Sequence, residues 1–343
     1  MAQFRDSNDF GPTLDAAAEQ LGISATAIEK DYWVSQILSV LARSFEDDFI
    51  FKGGTSLSKG YRIVERFSED IDVLVLPGER GRGATDKLMK EMSATAASGI
   101  GGDASPVGGS ETGRHRCYEM SYPATRQPTA VVRTSVLLEM GVRGGPHPHE
   151  RVPITCLLGD ALNAAGTDLS EFPDLEPFEV VVLHPGRTLF EKLDHIHSVA
   201  RALDHDASRV PDRRIGRHFY DVFQLLGDRR VLDLLADRDQ VEAILTSIGE
   251  IARAHFGGSD ENAVRAPTAA SPRARRSTST RTYHRGCAPL TTQRCQSSTS
   301  APIHFRPGKR SARASRSCAI CSNPELRVER VGGDRQIFGS KRT

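Results

Sequence analysis

Asp70 and Asp72 stand one residue apart in the run D-I-D-V-L-V, and the other residues with a chemical use in this chain relate to them. Alternate residues of an extended strand share a face, which puts the two carboxylates about 6.6 Å apart along the backbone. Hard oxygen ligands at that spacing suit one or two Mg²⁺ ions, while Ile71 and Val73 turn into a core. Sixteen residues before Asp70 comes Gly54, preceded by Gly53 and followed by Thr55 and Ser56. A glycine pair lets the backbone turn sharply and approach a bound group closely. The N–H groups that open a helix behind such a turn attract phosphate. Together these features point to metal-assisted phosphoryl chemistry, in which the carboxylates hold a metal that bridges phosphates to an incoming hydroxyl. Asp70 and Asp72 are therefore candidate metal-binding and catalytic residues, and Gly53, Gly54, Thr55 and Ser56 candidate nucleotide-binding ones.

Positioning them takes a strand, a turn, a helix, a reverse turn and a second strand between Phe49 and Leu76. Phe49-Ile50-Phe51 is a short apolar run, and Thr55 or Ser56 can cap a helix with Leu57, Tyr61 and Val64 at i, i+4 and i+7. The segment 66–69 ends that helix, and 71–76, nearly all β-branched or aliphatic, predicts a buried strand. Strands are also predicted over 117–122, 130–140, 152–157 and 178–183, for a sheet of about five. The 130–140 strand carries Glu139, a candidate third carboxylate that would act on the attacking hydroxyl. Upstream, residues 14–43 read as two helices, the second capped by Ser24 and carrying Lys30, Asp31 and a core Trp33. A polar helix over 85–97 leads into a Gly/Ser loop over 98–113. From Arg187 the pattern is helical, over 187–203 and 217–226, joined by the basic loop Ser208–Arg214. Lys192 is the candidate ligand for a β- or γ-phosphate, as a compact point charge. Arg217 and Asp221 have the i,i+4 spacing of a surface ion pair as much as that of a site. His195, His197 and His205 match no zinc-helix spacing and read as surface residues.

GGTSLSKGYRIVERFSEDIDV resembles the first motif of the nucleotidyltransferases with a DNA-polymerase-β-type fold, and more narrowly that of the AbiEii/AbiGii-type toxins. Their pattern is a glycine pair, a small hydroxyl residue, a helix, then R-F-S-x-D-x-D. The resemblance takes in Ile28–Val34 upstream, and Glu191-Lys192-Leu193-Asp194 and Arg217-His218-Phe219-Tyr220-Asp221 downstream, covering roughly residues 12–257. It implies an α+β fold: a minimal nucleotidyltransferase core, a mixed sheet with flanking helices, over 1–183, then a helical domain over 184–257. It also implies a phage-defence toxin of a type IV toxin–antitoxin system that moves a nucleotide from an NTP, with Mg²⁺, to an RNA acceptor such as tRNA. A separately encoded antitoxin would hold it in check. Asp194, Arg217 and Asp221 would close over the nucleotide, and Ser56 would bond a phosphate oxygen. A small-molecule (antibiotic-type) nucleotidyltransferase and a non-catalytic remnant remain as alternative readings.

The near-neutral composition conceals a split. From Arg265 onward there are 17 Lys and Arg against 3 Asp and Glu; of the chain's 45 basic and 44 acidic residues this leaves 28 against 41 in front. The acidic body suits a soluble enzyme. The Arg/Ser/Thr/Pro-rich stretch 258–343 has no period that buries a core, and reads as a disordered basic tail or a frameshift product. It carries four of the six cysteines, of which Cys318 and Cys321 alone are spaced like half a zinc site, so no zinc is expected. No apolar run has the length to span a bilayer, and the N-terminus lacks a signal-peptide core, so the expected location is cytoplasmic.

Overall fold

The computed structural model describes residues 3–68, 70–129, 132–206 and 215–256. Two helices lead, α1 (Phe10–Leu21) and α2 (Ala25–Ser44). Gly22, left-handed at φ 68°, ends the first, and Ser24 Oγ accepts from the Ala27 N–H at 3.2 Å to cap the second. The chain then runs β1 (Phe49–Lys52), α3 (Gly53–Lys59), β2 (Asp70–Val75), α4 (Arg82–Ile100), β3 (Ala104–Pro106), β4 (His115–Ser121), β5 (Ser135–Gly141) and β6 (His149–Ile154). It continues with α5 (Leu157–Ala164), β7 (Phe178–Leu183), α6 (Pro185–His205), α7 (Ile215–Leu225), α8 (Arg229–Ala236) and α9 (Arg238–Phe256).

The strands form one mixed sheet in the order β3-β4-β5-β2-β1-β7-β6. β2 runs parallel to β5 and antiparallel to β1, which in turn runs parallel to β7. Alternation divides the sheet into two unlike faces. Phe49, Phe51, Ile71, Val73, Val75, Leu138 and Met140 belong to the main core together with residues of α2 and α4. The opposite face has only a small apolar patch, Ile50, Leu74 and Leu183, and beyond that patch it carries the charged residues of interest. An α+β fold with a mixed sheet and flanking helices is therefore what the chain adopts.

α2 braces this arrangement with its own buried charges. Glu29, fully buried, accepts from the Thr125 N–H at 2.6 Å, the Thr125 hydroxyl at 2.8 Å and the Arg126 N–H at 3.0 Å. Asp31 ties α2 to α3 through Lys59 Nζ at 2.5 Å and to α5 through the Leu157 N–H at 2.7 Å. Trp33 is buried and stacks on Tyr122, with ring centroids 5.4 Å apart.

Three elements depart from the sequence prediction. α3 starts at Gly53 itself and stops at Lys59, so Tyr61 and Val64 reach the core from an irregular loop. Arg62 sits there at φ 53°, where a helix cannot continue, and the Ile63 N–H turns back to the Leu57 carbonyl at 2.9 Å. The sheet has seven strands among the described residues, with β3 inside the predicted Gly/Ser loop. The strand predicted over 152–157 is shifted to 149–154, and Leu157 opens α5, capped by Cys156 Sγ at 3.3 Å from the Gly159 N–H. The Ser208–Arg214 loop and the tail from 257 lie outside the described residues. No described helix is long and apolar enough to cross a membrane.

Candidate active site

The site is built where β1 hands over to α3. Gly53 has φ 81°, and a Cβ placed on it would lie 2.2 Å from Asp72 Oδ2, so this position demands glycine twice over. A Cβ on Gly54 would meet only the tip of the Arg66 side chain, also at 2.2 Å. The register sets Lys52 opposite Asp72 and Asp72 beside Glu139, so one row across β1, β2 and β5 carries a lysine and two carboxylates. Asp70 is two residues from Asp72 on the same face of β2. Burial pushes the Asp72 carboxyl up to about 6; Lys52 opposes the rise, and Glu139 adds to it by its charge and by a shared hydrogen bond.

Thr55 and Ser56 are buried, and their hydroxyls are used within the protein. Ser56 Oγ donates to the Gly53 carbonyl at 2.9 Å. Thr55 Oγ1 donates to the Asp70 carbonyl and lies 2.7 Å from Ser68 Oγ, fastening α3 to the start of β2. The phosphate contact expected of the Ser56 hydroxyl is therefore not available in this geometry, and neither residue caps the helix; both position its first turn.

Facing them is a buried ion cluster. Asp221 on α7 is fully buried, not half of a surface pair with Arg217. It accepts from Arg66 Nε at 2.7 Å and Nη2 at 2.8 Å, and Lys192 Nζ on α6 lies 2.8 Å away. Burial would raise its pKa, but the bonds from Arg66 and Lys192 prevail and hold it below the ordinary carboxylate range. Next to the cluster, His218 is pushed down to about 4, first by burial and then by Lys192 and His195, whose ring lies 4.6 Å away. His218 is neutral at neutral pH.

A cleft of about 300 Å³ lies between these groups. Of the residues expected from sequence, Gly53, Gly54, Asp70, Asp72, Lys192, Arg217 and Asp221 line it, and Thr55, Ser56, Glu139 and Asp194 do not. Asp194 lies off the cleft on α6, where burial raises its carboxyl pKa. Glu139 instead lines an adjoining cleft of about 160 Å³ that shares Lys52 and Asp72 with the first. Sequence reasoning missed Lys52, Arg66, Thr188 and His218, all of which line the larger cleft. Arg66 and Lys52 had a signal, since one opens R-F-S-x-D-x-D and the other ends the strand before the glycine pair. Thr188 had none. It is 2% exposed, and its hydroxyl has no protein partner.

Two carboxylates on one strand face, with Gly53 and Gly54 beside them and lysine and arginine lining the same space, make a cleft suited to a phosphorylated ligand. Comparison with protein families matches this chain, over residues 36–288, to the model described as nucleotidyl transferase AbiEii toxin, type IV TA system. Similar solved structures include MenT4, a nucleotidyltransferase toxin from Mycobacterium tuberculosis H37Rv, 18% identical, covering 73% of this chain and 91% of that one at a TM-score of 0.37. Another is an antigenic nucleotidyltransferase-like protein from Paracoccidioides brasiliensis, 16% identical, covering 67% of this chain and 98% of that one at a TM-score of 0.35. Comparison with curated proteins gives no match. The chain belongs to the AbiEii family of nucleotidyltransferase toxins of type IV toxin–antitoxin systems.

Proposed function

We propose that this protein transfers a nucleotidyl group from an NTP to a hydroxyl of an RNA acceptor, with tRNA as the acceptor class, in the cytoplasm of a cell that also makes its antitoxin and uses the pair in phage defence. The observation that carries this reading is the cleft lined by Asp70 and Asp72 together with Arg66, Lys192 and Arg217, and by Gly53 and Gly54. A triphosphate lying there has its charge met by Lys192 and Arg217 and its oxygens close to the backbone at Gly53 and Gly54.

Asp70 and Asp72 fit Mg²⁺, which is commonly held by one or two carboxylates together with substrate phosphates. The Asp72–Glu139 pair, with Asp72 raised to about 6, is a crowded set of carboxylates that a divalent cation would relieve. When bound, Mg²⁺ supplies charge neutralisation across the transferred phosphate. Glu139, alongside Asp72, is placed to take the proton from the attacking hydroxyl. A bond forms from that oxygen to the α-phosphorus, the bond to the β-phosphate oxygen breaks, and pyrophosphate leaves.

Incubating the protein with labelled NTP, Mg²⁺ and total tRNA tests the reading. Label is expected on tRNA, with pyrophosphate released and transfer weakened by salt. Label appearing only on an aminoglycoside would overturn the RNA assignment, and no label on any acceptor would overturn the transfer itself.

A further inference from the structure

Asp72 lies between two clefts, and their linings diverge along β2. The larger takes Asp70, Gly53 and Gly54 on one side of Asp72; the smaller takes Val73 and Gly141 on the other, with Lys52 and Asp72 common to both. An in-line displacement needs exactly one approach on each side of the reacting phosphorus, one for the leaving pyrophosphate and one for the attacking hydroxyl. The larger cleft has the triphosphate chemistry. The smaller has Glu139 on its floor and Arg114, His115 and Arg143 at its rim.

The rim carries two arginines. Arg114 Nη1 and Arg143 Nη2 each lie 2.7 Å from an oxygen of one carboxylate, Glu111, which holds the two guanidiniums side by side at the cleft. A phosphodiester offers the same planar, bidentate recognition that a carboxylate does. The volume, about 160 Å³, admits a sugar with its phosphate and leaves the rest of a longer acceptor outside. Gly141 keeps the wall open, for a Cβ there would find its nearest neighbours 3.9 Å away. A polycationic acceptor would meet the two guanidiniums on entry.

We infer that this smaller cleft is the acceptor subsite: it seats the terminal sugar of a polynucleotide with its hydroxyl toward Glu139, and Arg114 and Arg143 bind the adjoining phosphate. The inference rests on the nucleotidyl-transfer reading and adds to it where the acceptor lies and what holds it.

Two variants test it in the full chain. The double substitution Arg114→Gln, Arg143→Gln keeps polar partners for Glu111 while removing both charges. Gly141→Val fills the cleft with a strand-compatible side chain. NTP affinity in the presence of Mg²⁺, total-tRNA affinity across a salt series, and label transfer at saturating NTP are measured for each. The arginine variant should bind tRNA about tenfold more weakly, with a salt slope shallower by about 2, at unchanged NTP affinity. Gly141→Val should lose transfer while keeping NTP affinity. NTP affinity falling in step with transfer would return the cleft to the donor and overturn the inference. If both variants transfer label as well as the unaltered protein, the subsite assignment alone fails. Unaltered protein that binds no NTP would remove the nucleotidyl-transfer reading and the inference with it.

Discussion

At the scale of single residues, Asp72 is where electrostatics and backbone geometry meet. Its folded pKa, about 6, lies above the ordinary value near 3.8, so the folded state holds a proton that the unfolded chain releases. The resulting penalty is absent at pH 3 to 4, grows as pH rises through 6 and is complete above it. Asp72→Asn should therefore stabilise the metal-free protein at pH 8, by about 3 kcal/mol at most, and leave it unchanged at pH 4, while abolishing transfer. Thermal melts in chelator at the two pH values, set beside activity, check this; equal effects at both would mean that the carboxyl is not held high. Mg²⁺ affinity should fall as pH drops below 6. The glycines make a paired contrast. Gly53→Ala combines a left-handed backbone with a Cβ driven into Asp72, and should cost about 1–3 kcal/mol and most of the activity. Gly54→Ala needs no left-handed backbone but presses on Arg66 Nη2, which Asp221 holds at 2.8 Å, so it should loosen that ion pair and lower melting temperature and turnover less than Gly53→Ala does.

Among the elements, the loop between α3 and β2 depends on a helix far along the chain. Asp221 grips Arg66 bidentately and Lys192 singly, the Tyr220 hydroxyl accepts from the Glu65 N–H at 3.4 Å, and Arg230 Nη2 donates to the Tyr61 carbonyl at 3.2 Å. Asp221→Asn leaves two cations facing a neutral amide and should destabilise the protein by about 3–5 kcal/mol. Hydrogen exchange should accelerate in residues 61–68 before it does in the core strands; uniform acceleration would show that the clasp is not local. Because the Asp221 carboxyl is held low, its contribution persists through neutral pH and is lost only as pH falls through that depressed value. These partnerships also mark the limit of what the sequence discloses. The strand Phe178–Leu183 and the pair Asp70, Asp72 are legible because an apolar run and a period of two are local signals. Ser24 is legible as a cap for the same reason. Asp221 looks as well matched to Arg217 four residues away as to Arg66, since chain proximity says nothing of which side chain is buried. α3 reads as longer than it is because Tyr61 and Val64 fall in helical phase and are indeed buried, only from a loop. Thr188 cannot be found in advance, for its significance is a missing partner.

Across the whole molecule the charge is divided, with 28 basic and 41 acidic residues ahead of Arg265 and 17 against 3 from there on. An acidic body repels a polyanion at long range, so the proposed RNA acceptor would have to draw on the basic segment for its approach. A chain ended at Val264 should bind total tRNA more weakly and with a flatter salt dependence, at unchanged NTP affinity. Loss of NTP affinity as well would assign residues 265–288, which the family model also matches, to the body of the enzyme.

The clasp at Asp221 has a consequence in time. Arg66 and its carboxylate partner are 155 residues apart in the chain. At roughly 5–20 residues per second, translation takes about 8–30 s to pass from one to the other. During that interval the strand that carries Asp70 and Asp72 exists without the group that fixes Arg66 and Lys192. A ribosome carrying the unfinished chain thus holds a cleft still lacking one wall, which closes only when nearly all of the described body has been made.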